Sequence, residues 1–146
     1  MEPGLIMEIK VVLARDKISE LEASNGKAKI IPFSGRVDSP LFSGEILPGA
    51  ADVQMTNAAG VRHLCAQYML QGVDSVDSEG NPCRLFISNN GYFERDHRPK
   101  PFEACPTFLT DSPVLGPYLQ GAHFRAEGHS SPEGVNIRIF DIDKEK

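Results

Sequence analysis

Asp52 and Gln54 stand two residues apart in GEILPGAADVQ, residues 44–54, where a strand-like piece meets a Pro48-Gly49 turn and a second strand begins. Side chains two apart on an extended chain project to one face, so a carboxylate and an amide share a surface. Turned into a barrel, that carboxylate needs partners or a proton, and either state suits a ligand site. Turned outward, Asp52 would cap the Pro-Gly turn by accepting backbone N–H groups. On the next strand His63, Cys65 and Gln67 share one face, and Leu64, Ala66, Tyr68 and Leu70 share the other. Adjacent strands align like-facing residues. A His63 face turned inward would therefore set an imidazole beside Asp52, an acid–base pair. The same face turned outward is only polar, and a slip of one residue exchanges the two arrangements.

Further polar groups gather in Asn89-Asn90-Gly91-Tyr92 and the charged run that follows, Glu94 to Arg98. Arg95 and Arg98 could fork onto a ligand carboxylate, or form a solvated surface with weak ion pairs. His123 and Tyr118, near the start of a late strand, could close the same mouth or simply pack. The candidate ligand-binding set is thus Asp52, Gln54, His63, Tyr68, Asn90, Tyr92, Arg95 and His123. No catalytic residue can be named. Cys65 and His63, two apart on a strand, sit roughly 6.5–7 Å from each other, too far for a direct thiol–imidazole bond. The four histidines are scattered without an HExxH or a close pair, so no metal is expected. No phosphate loop, nucleophile elbow or GxGxxG is present, and no cofactor is expected.

Composition narrows the classes further. The 146 residues carry a net charge of −5 and no block of like charge, which makes nucleic acid a poor partner. No apolar run approaches the roughly 20 residues of a bilayer-crossing helix, and MEPGLIMEIK lacks a basic segment followed by an apolar core. The three cysteines, Cys65, Cys83 and Cys105, are odd in number and widely spaced, giving neither a disulfide framework nor a zinc knuckle. These features predict a soluble cytoplasmic protein without a membrane or nucleic-acid partner. A homo-oligomer stays compatible with the sequence.

The elements that must position the candidates alternate with period two. Met7, Ile9, Val11 and Leu13 begin a strand near 5–14. Further strands are predicted near 27–34, 40–47, 51–57, 61–71, 82–89, 106–110, 121–127 and 134–141. The 13 glycines and 11 prolines punctuate them as turns. The polar run 16–25 reads as a connection ending in the turn dipeptide Asn25-Gly26. Residues 112–120 form at most a short helical turn, limited by Gly116-Pro117. Residues 91–106, with three prolines and no alternation, read as a long surface loop. The fold class predicted is all-β: a single antiparallel β-barrel of about eight to ten strands, one domain over 1–146 with a charged tail at 143–146.

Several stretches occur in a family-like order: IPFSG (31–35), GEILPGAADVQ (44–54), Gly60, LCAQY (64–68), PTFLT (106–110) and GVNIRIFDI (134–142). In this order they resemble the domain of unknown function 3237 family, also called uncharacterised protein family 0311. The resemblance implies a single antiparallel barrel similar to allene-oxide-cyclase-like and calycin-like barrels, with no settled activity. Val53 stands where the family usually has an aromatic residue. Cys65 and Gln67 replace a common acid and arginine, and Tyr118 lies near a usual Trp. The function expected is binding of a small, partly apolar organic molecule in the barrel cavity. The alternative is a cofactor-independent isomerase, cyclase or hydrolase using acid–base groups of the same cavity.

Overall fold

The computed structural model describes residues 2–74, 80–93 and 102–145. Ten strands form one antiparallel sheet: β1 (Leu5–Leu13), β2 (Ser19–Ala23), β3 (Gly26–Asp38), β4 (Phe42–Ile46), β5 (Ala51–Asn57), β6 (Arg62–Asp74), β7 (Asn81–Phe93), β8 (Phe102–Thr110), β9 (Phe124–Ser130) and β10 (Gly134–Asp141). Among the described residues one α-helix, α1 (Leu115–Gly121), lies between β8 and β9. The β1–β3 ladder, from Ile9 opposite Val37 to Leu13 opposite Phe33, joins the two ends of the sheet and closes a barrel.

Closure needs bends, and two strands supply them. β4 and β5 both run antiparallel to β3 and to β6, so they are successive halves of one strand. Pro48-Gly49 is therefore a bulge in a continuing strand, where the sequence predicts a turn. Residues 46–50 face only residues 33–35 of β3, with Gly49 at φ 103°. The local signature of Pro-Gly is the same in both cases; only long-range pairing distinguishes them. β1 and β2 likewise continue along β3, interrupted by a 3-10 turn at Arg15–Lys17. β2 falls within the run 16–25 that reads as a connection. All five of its residues are exposed, so no apolar alternation marks it, and Glu20 and Glu22 blunt its open edge.

Tight crossings depend on glycine. Gly44 lies opposite Gly72 in the β4–β6 ladder, and a Cβ on Gly72 would sit 1.9 Å from the Ser43 carbonyl oxygen. At the end of the barrel that carries α1 the lumen is solid. Met7, Ile9, Leu70, Leu85, Ile87 and Ile139 are all buried there, with Leu115 and Leu119 of α1 above them. Residues 91–93 and 102–106 extend β7 and β8. The predicted loop over 91–106 is thereby shortened, and its centre, with Arg95, lies outside the described residues. Pro106 sits in β8 opposite Asn89, which is why composition reads the stretch as loop.

The end of β6 is fastened by one carboxylate. Asp74, fully buried, accepts bonds from Ser112 Oγ at 2.6 Å and from the Asn81 N–H at 3.0 Å. Ser112 Oγ in turn accepts the Leu115 N–H at 3.1 Å, which ties the start of α1 to the barrel. The Ser112 hydroxyl first, then the Asn81 N–H, hold the Asp74 carboxyl below its usual range. The unfolded chain thus takes up a proton more readily than the folded one. The stabilisation is complete above the ordinary carboxyl pKa, about 4, and fades as pH falls through the lowered folded value. Asp74→Asn should lower stability by about 2–3 kcal/mol in urea unfolding at neutral pH, since it weakens a charge-assisted bond and turns an amide N–H toward a donor. An unchanged midpoint would mean that Asp74 does not fasten this end.

Candidate functional site

The opposite half of the lumen is not filled. Three inward rows can be followed across the strands. Ile31, Asp52, Ala66 and Asn89 form one; Lys29, Gln54, Leu64 and Gly91 the next; Lys27, Thr56, Arg62 and Phe93 the row at the mouth. Ala66, Gly91 and Ala104 are small where the filled half has leucine and isoleucine, and space remains. A cavity of about 120 Å³ results, walled by Ile31, Phe33, Leu64, Phe93 and Phe102 and carrying Asp52, Gln54, Tyr68 and Asn89. Phe102 is held over Gly128, where a Cβ would come within 2.0 Å of its ring, and it meets Phe93 edge-on at 5.7 Å. Cavities of about 150 Å³ accept a benzene ring, so a ring-sized molecule matches the scale. A smaller recess of about 40 Å³ adjoins it at Gln54 and Arg62 and is bordered by Lys27, Lys29 and Thr56.

The polar groups inside are few. Gln54 Nε2 donates to Asp52 Oδ2 at 2.8 Å, which sets the carboxylate in the lumen. Tyr68 is only 3% exposed, its ring edge-on to Phe33 at 5.1 Å, and its hydroxyl has no hydrogen-bond partner among the described residues. Asn89 is 6% exposed, and its Oδ1 is also without a partner among those residues. Burial pushes the Tyr68 phenol well above its ordinary pKa, so it remains an O–H donor across the physiological range. A buried polar atom without a partner costs about 1–3 kcal/mol, and both of these residues line the same cavity.

Asp52, Gln54 and Tyr68 are thus brought together, and the other candidates are not. His63 lies opposite Met55 on the outer face and stacks on Tyr92 at 4.7 Å, so the arrangement beside Asp52 is not formed. The reason is parity: Asp52 aligns with Ala66, and the odd residues of β6 from His63 to Gln67 turn outward. Asn90 and Tyr92 are outside for the same reason, with Tyr92 70% exposed. His123 stands at the α1 end, 3.8 Å from Asp143, away from the mouth. Tyr118 donates to Asp141 Oδ2 at 2.6 Å and packs on Phe124. Arg95 lies outside the described residues. Asn89, named with Asn90 in the polar run but left out of the candidate set, is the one that faces inward; its shared parity with Leu85 and Ile87 is the signal that distinguishes it. Sequence reasoning missed Arg62 and the aromatic walls.

Among the described residues no three His, Cys, Asp or Glu side chains are grouped to hold a metal ion. No helix there is long and apolar enough to cross a membrane.

Comparison with known proteins agrees with this architecture. The family described as "Protein of unknown function (DUF3237)" matches residues 2–142, and the chain belongs to that family. A UPF0311 protein of Clostridium acetobutylicum is 28% identical over 132 residues, covering 80% of this chain and 78% of that protein. A crystal structure of a protein of unknown function from the same organism superposes with a TM-score of 0.74 at 25% identity, covering 97% of this chain and 99% of the other. A conserved protein of unknown function from Rhodopseudomonas palustris gives 0.73 at 22% identity, with 96% of both chains covered. A beta-barrel like protein from Acinetobacter baumannii gives 0.69 at 21%, with 94% of both covered. The last two bear on fold alone.

Because the Tyr68 hydroxyl stands without a partner among the described residues, removing it should cost nothing. Tyr68→Phe is expected to leave stability unchanged or raise it by about 1–3 kcal/mol in urea unfolding. A clear loss of stability would mean that the hydroxyl is already bonded.

Proposed function

We propose that this member of the DUF3237 family binds a small, partly apolar organic molecule in the open half of its barrel. The observation that carries the reading is a pair of polar atoms without partners among the described residues, Tyr68 Oη and Asn89 Oδ1, on a largely apolar cavity of about 120 Å³ that also carries Asp52, Gln54 and Arg62. Ligand pockets are mostly apolar with a few placed polar groups that fix orientation. A ligand oxygen able to accept from Tyr68 would relieve one of the two atoms, and a donor such as a hydroxyl would relieve the other. Asp52 and Gln54 supply a second polar contact, and the aromatic walls hold the hydrocarbon part. A carboxylate in the same lumen favours a second reading: a cofactor-independent enzyme of isomerase, cyclase or hydrolase type that uses acid–base groups there.

A thermal-shift panel of small ketones, phenols and carboxylic acids tests the binding. A compound at 100 times its Kd should add about 2.7 kcal/mol of stability and raise the melting temperature. Tyr68→Phe should weaken such a compound by about tenfold, the worth of one net hydrogen bond, and the double variant Asp52→Ala with Gln54→Ala should weaken it further. The assignment fails if both variants bind as the natural protein does, and the reading fails if nothing in a broad panel binds.

A further inference from the structure

We propose that the lumen removes a proton from the carbon beside a ketone carbonyl, with Asp52 as the base and Tyr68 as the donor that holds the carbonyl oxygen. This rests on the lumen being a ligand site and names what the site does. Asp52 and Asn89 flank Ala66 in one cross-strand row, and Tyr68 is the next inward residue of β6 beyond Ala66. Three polar side chains therefore surround a single methyl group, and nothing larger than that methyl stands between them on β6. Diagonal neighbours on adjacent strands have Cα atoms about 7–8 Å apart, a spacing that admits a carbonyl oxygen at one side chain and its neighbouring carbon at the other. The bond from Gln54 Nε2 orients the Asp52 carboxylate, and a carboxylate has lone pairs for several partners at once. Among the described residues the Tyr68 hydroxyl donates to nothing, so a ketone oxygen meets a donor already in place, as electrostatic catalysis requires.

The step needs no further reagent. Asp52 takes the proton; the C–H electron pair becomes the new C=C bond, and the carbonyl π electrons move to oxygen, where Tyr68 O–H stabilises the enolate. The carboxyl proton of Asp52 exchanges with water, and Asp52 then delivers a solvent-derived proton to the same carbon or, in a β,γ-unsaturated ketone, to the far end of the dienolate. The second course shifts the double bond into conjugation. A six-membered cyclic ketone matches the cavity in size.

The probes are cyclohexanone, followed by proton NMR in D₂O for exchange of its α-hydrogens, and 3-cyclohexenone, followed by the ultraviolet absorbance of its conjugated isomer. Binding is read on the same samples by thermal shift. Exchange above the buffer rate that saturates with ketone is expected. It should fall about a hundredfold or more in Asp52→Asn, the usual weight of a general base, and about a hundredfold in Tyr68→Phe. Ketone binding with neither exchange nor isomerisation, or rates equal in Asp52→Asn, overturns the proton transfer and leaves the pocket reading intact. Binding of phenols or acids but no ketone does the same. If no compound of any class binds, both readings fall. Should Asp52→Asn not fold, as judged by circular dichroism, the drop in Tyr68→Phe decides the question by itself.

Discussion

The pairing of β1 with β3 closes the sheet, and the closure determines what every side chain on it can do. A closed antiparallel barrel has two faces and no middle ground, because alternate residues of each strand point in or out. Once Ile9 lies opposite Val37 and Val11 opposite Gly35, the parity of each neighbouring strand follows around the ring. Asp52 aligns with Ala66, Ala66 with Asn89, and Asn89 with Pro106. The same constraint forces the two interruptions, at Arg15–Lys17 and at Leu47–Ala50. A strand that serves both a barrel wall and its extension must change direction between them.

Within that frame the barrel divides its interior. One half is filled with aliphatic side chains and fastened by Asp74, Ser112 and α1, so that it can carry the stability of the whole. The other half holds the small residues Ala66, Gly91 and Ala104 and leaves polar atoms of Tyr68 and Asn89 without partners among the described residues. Unfilled volume and unpaired polar groups both reduce stability. The filled half supplies the margin that tolerates them.

The alternation in Met7 to Leu13 and in Gly134 to Ile142 was legible because each of those strands buries one face and wets the other. β2 was not legible: it buries nothing, and its residues carry no trace of the pairing with β3. Pro48-Gly49 reads as a turn because φ preferences are local, whereas a bulge and a turn differ only in what the following strand pairs with. Asp52 and Gln54 were legible as a pair through their spacing. His63 was misplaced in one of its two readings because LCAQY offers a polar face and an apolar face without stating which is enclosed.

What the sequence determined by itself is the set of short-range facts: strand periodicity, the same-face relation of Asp52 and Gln54, the brevity of α1 at Gly116-Pro117, and the order of motifs shared with the family. Each depends on neighbours a few residues apart, and the chemistry of those neighbours is written in the chain. The tertiary structure alone decided which face is inside, that Tyr68 and Asn89 join Asp52 around Ala66, and that His63, Asn90, Tyr92 and His123 stand elsewhere. Those facts depend on register between strands far apart in sequence, and a shift of one residue would invert them while leaving every local preference satisfied.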